Sequence, residues 1–388
     1  MNLRPDASGT VFTRPLAATD KYVPELDGIR AVAIAFVVTA HYKLLPFSVP
    51  GGFGVTLFFF VSGYIITTLF FSEYKANRYV NIPMFYLRRW IRLTPPLVIM
   101  VVIAVVFFRV SRVGVDETAV PVGTTMAALF YYTNYYDLAW GMDPYKVIPF
   151  GICWSLAIEE HFYLLWPLVV KLFIKYPSKL AVGVAAACAT VLVWRGIAHW
   201  GLGLSEWYTG MATDTRIDSI LYGVLLRVLF ESPWRATAES ILMNRAVQIL
   251  GILLLLLCLV IRSEGFRETV RYSLQGLALM PLFTAVLLDR PDTLSRRVLS
   301  AAPIVLIGRL SYSIYLFHLL ARTPGEFIFG SPYSIGSILS GLIITGIVAY
   351  TLLIFVERPL GKLRHRLRGK ETGVSPVAAV KPLNPPQH

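Results

Sequence analysis

Apolar positions in this chain come in long blocks, unlike the alternation of a half-buried strand or the one-sided stripe of a surface helix. Blocks of about 17 to 25 residues, enough for a helix to cross ~30 Å of hydrocarbon, recur from end to end. They predict ten helices, at 28–45, 53–72, 92–110, 154–175, 180–199, 216–231, 245–262, 271–289, 304–321 and 335–356. The fold class read from this pattern is an all-α, multi-pass integral membrane protein.

Composition agrees. The 388 residues are 56% hydrophobic and 15% charged, with a mean hydropathy of +0.62, against about 25% charged in a soluble domain. There is no room for a large soluble module. Residues 1–24 are polar and Pro-interrupted, with no apolar core of signal-peptide length, and read as an uncleaved cytoplasmic segment. Residues 361–388 turn basic and then Pro-rich, the composition of a disordered cytoplasmic tail. Cys153, Cys188 and Cys258 are far apart, form no CxxC and lie in or beside apolar runs, so they read as small core residues, with no metal site implied.

The net charge of +13 changes the picture by setting topology. With the N-terminus in the cytoplasm, the segments around Arg88, Lys175, Arg235 and Arg296 and the tail all fall inside. By position, 26 of the 36 Lys and Arg are then inside and ten outside, the bias of the positive-inside rule. Both termini are expected in the cytoplasm, and no basic stripe of a nucleic-acid binder remains. Residues 111–153 become the longest outer loop, rich in Tyr and Trp, which suit either interface anchoring or stacking on a carbohydrate.

A few polar residues interrupt the apolar blocks. RAVAIAFVVTAHY, 30–42, carries Arg30 and His41; eleven residues at ~100° each return them to nearly one helix face, ~16 Å apart along the axis. WSLAIEEHFYLLW, 154–166, sets Ser155, Glu159 and Tyr163 on one face by four-residue spacing. Glu160 and His161 fall on other faces and read as structural. TDTRIDSILYG, 213–223, places Asp214 and Asp218 on a shared face with Arg216 between them, and RLSYSIYLFH, 309–318, delivers His318. On this topology two histidines, a Glu and an Asp-Arg-Asp set reach outer depths from separate helices. Charged groups inside a membrane segment are costly and mark function.

The inner side carries different chemistry. FYLRRWIRLTPPL, 85–97, gathers Arg88, Arg89 and Arg92 with Trp90, and VERPL, 356–360, adds Arg358. Guanidiniums fork phosphate oxygens and stack on rings, so this mouth suits a phosphorylated, ring-bearing cofactor. An acyl-CoA fits: its phosphates would sit on the inner arginines while its flexible arm carries the thioester toward His41.

These motifs together resemble the membrane acyltransferase 3 family, from ELDGIRAVAI at 25–34, through GVTLFFFVSGYII, FYLRRWIRLTPP, WSLAIEEHFYLLWP, TDTRIDSILYG and GRLSYSIYLFH, to FVERPL at 355–360. The resemblance implies an acyltransferase 3 membrane domain over 25–360. It also implies transfer of an acetyl or other short acyl group from acyl-CoA to a hydroxyl of a carbohydrate or glycolipid acceptor, in a bacterial inner membrane among membrane lipid. It marks His41 as essential with Arg30 as its motif partner, and Ser155, Glu159, Arg88, Arg89 and Arg92 as important. Two positions depart from the family pattern: Thr56 stands where Asp is usual, and His161 where Gln is common. Some members carry a further hydrolase-like domain; a form without it is expected here.

The mechanism so read makes His41 a general base on the acceptor hydroxyl, oriented by Glu159 as a carboxylate orients the triad His. A two-step route through an acyl-imidazole is equally open, and His318 is the rival base or an acceptor ligand. Arg30, Arg88, Arg89, Arg92, Trp90 and Arg358 would hold the donor, and Asp214, Arg216, Asp218 and Tyr163 the acceptor. The competing class is a transporter or flippase with an intramembrane His/Glu/Asp relay. Against it, the two halves show no repeat and no matching pair of broken helices.

Overall fold

The computed structural model describes residues 22–111, 122–140, 149–288 and 293–363, and these are predominantly helical, with no strand among them. Helices α1 (Pro24–Tyr42), α2 (Gly51–Asn77) and α3 (Ile82–Ser111) are followed by two short ones, α4 (Val122–Leu129) and α5 (Thr133–Trp140). A 3-10 turn, Pro149–Ile152, leads into α6 (Cys153–Phe173), α7 (Pro177–Gly196), α8 (Glu206–Met211), α9 (Thr213–Arg216) and α10 (Asp218–Leu229). Then come α11 (Arg235–Leu242), α12 (Arg245–Val260), α13 (Arg271–Leu288), α14 (Leu294–Leu299), α15 (Ala302–Phe329) and α16 (Ile335–Leu352).

Six stretches are long and apolar enough to cross a membrane: Gly51–Asn77, Ile82–Val110, Pro177–Gly201, Phe266–Leu288, Ala302–Phe329 and Ile335–Leu363. The pair α11 and α12, bent by 66°, makes a seventh if it is one span. Each of the ten predicted segments overlaps a helix, and the smaller number of fully apolar spans has a physical reason. Helices α1 and α6 have the length, 19 and 21 residues, but carry Glu25, Asp27 and Arg30, and Glu159, Glu160 and Lys171. Helix α10 has only 12 residues, about 18 Å. Helices α1, α6 and α10, which fall short, all bear polar residues singled out above.

The segment expected as one outer loop is structured where it is described, holding α4, α5 and the turn at 149–152. Residues 112–121 and 141–148 of that segment, residues 1–21, and the tail from 364 onward lie outside the described residues.

Helices α1, α2, α10 and α15 form the centre. They approach closely because glycine meets backbone at the crossings: a Cβ on Gly308 of α15 would lie 1.8 Å from the Asp27 carbonyl oxygen of α1, and one on Gly223 of α10 would lie 2.0 Å from that of Phe60 in α2. Small residues at such crossings let helices pack backbone to backbone in an apolar medium. The interior they enclose is aromatic, with Phe59, Phe60, Phe70 and Phe162 fully buried, but it also buries Arg195, Arg216 and Arg227.

Candidate active site

The last turn of α1 brings His41 against α15. His41 Nδ1 lies 2.8 Å from His318 Nε2, with the rings stacked at 4.9 Å and 22°. His318 is fully buried, and its Nδ1 lies 2.8 Å from the carbonyl oxygen of Tyr315, one turn back on α15. A carbonyl accepts only, so Nδ1 of His318 carries the proton and Nε2 the lone pair. His41 must therefore donate from Nδ1, which leaves its own lone pair on Nε2. Two histidines from distant segments thus fix one another's tautomer. Tyr42 fastens the same crossing by donating to the His318 carbonyl at 2.6 Å.

His41 lines a cavity of about 200 Å³ with Val37, Gly51, Val55, Ile152, Trp154 and Tyr315. Val55 and Tyr315 also line a second cavity, of about 90 Å³, which holds Arg30, Arg89, Arg92, Ser155, Glu159 and Tyr163. Arg30, Arg92 and Tyr312 in turn belong to a third, of about 260 Å³, lined also by Asp27, Arg309, Glu357 and Arg358. Three cavities that share lining residues therefore lie in succession between a cluster of four arginines and the histidine pair.

Hydroxyls and charges define the middle of this path. Ser155 Oγ lies 2.6 Å from the Tyr315 hydroxyl, which donates to the Ile152 carbonyl at 3.0 Å. Tyr163 donates to Glu159 Oε2 at 2.9 Å, is hydrogen-bonded to Ser62, and lies under the Arg89 guanidinium, 4.5 Å from its ring centre. Arg30, Arg89 and Arg92 all lie within electrostatic reach of Glu159. In the basic cavity Asp27 is shared by Arg30 at 3.3 Å and Arg309 at 3.6 Å, while Glu357 accepts from Ser313 at 2.6 Å. Four arginines against two carboxylates leave this cavity net positive.

The structure sorts the sequence candidates. It brings together His41 with His318, and Arg30, Arg89 and Arg92 with Ser155, Glu159 and Tyr163; Arg358 lines the basic cavity. It leaves others outside. Trp90 points away and is 61% exposed, and Arg88 reaches back to Glu73 at 3.5 Å, because adjacent residues of a helix face different sides. Glu159 does not orient His41: Tyr163, one turn along α6, captures its carboxylate, and His318 holds the imidazole instead.

The Asp-Arg-Asp set makes its contacts within the protein and lines none of the three cavities. Asp218 is locked to Arg195 in a buried fork, at 3.1 and 2.9 Å, with Ser273 donating to it at 2.7 Å. Asp214 accepts from Trp194, Tyr208 and Tyr135. Arg216 stacks 3.5 Å from the Tyr272 ring centre and reaches Thr56 Oγ1 at 3.3 Å. His161 meets Thr213 at 2.7 Å.

Residues not singled out from sequence complete the path: Tyr312, Tyr315 and Arg309. A signal existed, since Arg309, Tyr312, Tyr315 and His318 recur every three residues in one quoted motif, a spacing that keeps side chains on neighbouring faces of a helix.

A family model described as an acyltransferase domain, acyltransferase 3, matches residues 23–356. The peptidoglycan O-acetyltransferase OatA of Listeria monocytogenes is 30% identical over 361 residues, covering 88% of this chain and 56% of that protein. The O-acetyltransferase OatA of Staphylococcus aureus is 28% identical over 359 residues, covering 88% and 58%. The chain thus spans a little over half the length of these curated relatives. No solved structure matches it. With the family model covering most of the chain over a multi-pass helical membrane fold, the protein belongs to the acyltransferase 3 family of membrane acyltransferases.

Proposed function

We propose that this protein is a membrane O-acyltransferase that moves an acyl group, most simply acetyl, from acyl-CoA to a hydroxyl of a carbohydrate or glycolipid acceptor. The observation that carries the reading is the succession of three cavities with shared lining residues from Arg30, Arg92, Arg309 and Arg358 to His41. A polyanionic nucleotide suits the arginine end, a narrow flexible arm the middle, and a neutral hydroxyl the histidine end.

In this scheme the ten helices of the sequence reading span or line a bacterial inner membrane, with both termini and the basic cavity cytoplasmic. Arg30, Arg92, Arg309 and Arg358 hold the donor's phosphates, binding oxygens as forks. About 16 Å along α1, the spacing of eleven residues, His41 Nε2 takes the proton of the acceptor hydroxyl as that oxygen attacks the thioester carbonyl. The thiolate leaves and recovers the proton from the imidazolium. The forming imidazolium is held by His318, whose Nε2 accepts from His41 Nδ1 throughout. Ser155 and Tyr315, hydrogen-bonded to one another at the junction of two cavities, line the way between donor and base. The OatA relatives, one of them named for peptidoglycan, support a glycan as acceptor.

The test is turnover by the purified full chain in nanodiscs, wild type against His41→Ala, with acetyl-CoA, cell-envelope glycan and mass spectrometry of the product. Free CoA together with a glycan heavier by one acetyl group, both lost in a folded His41→Ala that still binds acetyl-CoA, is the expected result. No acetyl-CoA binding, or movement of glycan with no covalent change, would turn the assignment to a transporter.

A further inference from the structure

Beyond His41 the end of α1 carries a second cationic feature that the donor path does not use. Lys43 caps α1 in the left-handed conformation, φ 49° and ψ 46°, its N–H returning to Ala40. That turn sets its ammonium 4.0 Å from the centre of the Tyr333 ring. Arg322, one turn beyond His318 on α15, lies 5.5 Å from the same ring and 5.6 Å from that of Tyr42, and its Nη1 donates to the His41 carbonyl at 2.7 Å. Two cations from separate helices thus converge on one half-exposed tyrosine, Lys43 two residues beyond the proposed base and Arg322 bonded to that base's carbonyl.

Five inward arginines have a carboxylate partner. Arg30 has Asp27, Arg88 has Glu73, Arg195 has Asp218, Arg227 has Glu231 and Arg296 has Glu25. Lys43 and Arg322 have none among the described residues; a ring face orients a cation but does not neutralise it. The Nε–H of Arg322 is moreover buried without an acceptor. With Nη1 committed to His41, the side of the guanidinium that carries Nε is the one not yet used. An unsatisfied, partly buried donor is costly in a resting protein, and a planar anion is what a guanidinium edge matches. By the charge asymmetry of the sequence, both cations also fall on the face opposite the basic cavity.

We propose that Lys43, Arg322 and Tyr333 form an acceptor subsite for a carboxylate, so that the enzyme selects acidic glycans over neutral ones. The inference rests on the reading of His41 as the base that meets the acceptor. Tyr333 holds the two cations apart and presents a face to the sugar ring, while the carboxylate bridges them and brings a neighbouring hydroxyl to His41 Nε2.

The experiment uses the full chain in nanodiscs and two probes: a hexuronic-acid oligosaccharide and the same oligosaccharide after reduction of its carboxyl groups. Binding is measured calorimetrically without donor, and acetyl transfer is measured separately with acetyl-CoA. Wild type is expected to bind the acid form at least about tenfold more tightly than the reduced form, the scale of one charge-assisted contact. Lys43→Gln narrows that ratio and Lys43→Glu inverts it, with the change in transfer falling on KM. Equal binding of both probes by wild type, or equal weakening of both by Lys43→Gln, as for a cation that holds a lipid headgroup or only the fold, overturns the subsite. Selective binding with no release of CoA leaves the subsite standing and overturns the acyltransfer reading on which its role rests.

Discussion

Arg195 and Arg30 are both drawn out of water by apolar helices, and they are treated in opposite ways. Arg195 is fully buried and fully satisfied: Nε donates to the Thr269 carbonyl at 2.5 Å, Nη1 to that of Thr215 at 2.6 Å, and the fork to Asp218 and Ser273. Those partners come from α9, α10, α13 and the segment before α13, so one guanidinium on α7 staples four neighbours. Arg30 has a single carboxylate contact, to Asp27 at 3.3 Å, and otherwise lines two cavities beside Arg92. A charge whose hydrogen bonds all close on the protein has no capacity left for a ligand; one that faces a cavity does. The clamp holds the fold and the cavity binds, and the two roles separate by experiment.

The widest separation is expected between His41→Ala and the clamp. Removing a general base typically costs about 10²- to 10⁴-fold in rate, so His41→Ala should lose transfer at that scale while its thermal midpoint in detergent stays near wild type. His318→Phe should show a smaller loss of the same kind, and His318→Gln should retain more, because an amide oxygen can still accept from His41 Nδ1. A drop in midpoint that parallels the drop in rate would make the histidine pair a packing feature and erase the contrast.

Asp218→Ala is the converse. Removing one partner of a buried ion pair costs about 3 to 5 kcal/mol, since the other charge is left uncompensated. Folded protein recovered from membranes should fall sharply, read by fluorescence-detected gel filtration, with whatever fraction folds keeping a wild-type KM for acetyl-CoA. A raised KM in a well-folded Asp218→Ala would return Asp218 to the binding machinery.

Arg92→Gln sits between these. It takes one guanidinium from the wall shared by the basic and middle cavities, and is expected to raise the acetyl-CoA KM about tenfold with kcat little changed, the signature of lost uniform binding. A fall in kcat at constant KM would place Arg92 at the reacting thioester instead of the phosphates.

Much of this was legible in the sequence. Helix positions followed from apolar block length, and Arg30 and His41 stood out because each is costly inside such a block. What could not be read was pairing. TDTRIDSILYG and WSLAIEEHFYLLW look alike as polar insertions, yet Asp218 closes on Arg195, a residue 23 positions earlier, while Glu159 opens onto a cavity. His41 and His318 are 277 positions apart, and no local spacing announces that contact. The side to which Trp90 turns depends on how α3 is rotated against its neighbours, which four candidates within five consecutive residues leave undetermined.

The smallest effect concerns the departure at Thr56. Its hydroxyl is fully buried and is reached by Arg216 Nη2 at 3.3 Å, while Nε and Nη1 of Arg216 have no hydrogen-bond partner. Of the two carboxylates two positions away, Asp218 is already spent on Arg195 and Asp214 on Trp194 and Tyr208. This corner therefore buries two guanidiniums around one carboxylate, with Tyr272 stacked on Arg216 as partial compensation. Asp is close to Thr in volume, and at position 56 it would set a carboxylate where Nη2 now meets a hydroxyl. Thr56→Asp is expected to stabilise the fold by roughly 1.5 to 3 kcal/mol, the range for a hydrogen bond to a charged group, read as a higher thermal midpoint. Transfer should be little altered, because Thr56 and Arg216 lie behind the wall formed by Val55 and Phe59 and do not line the path. A lower midpoint would mean that the Arg216 charge is already balanced within the clamp, and the boundary between clamp and cavity would then run on the far side of Arg216.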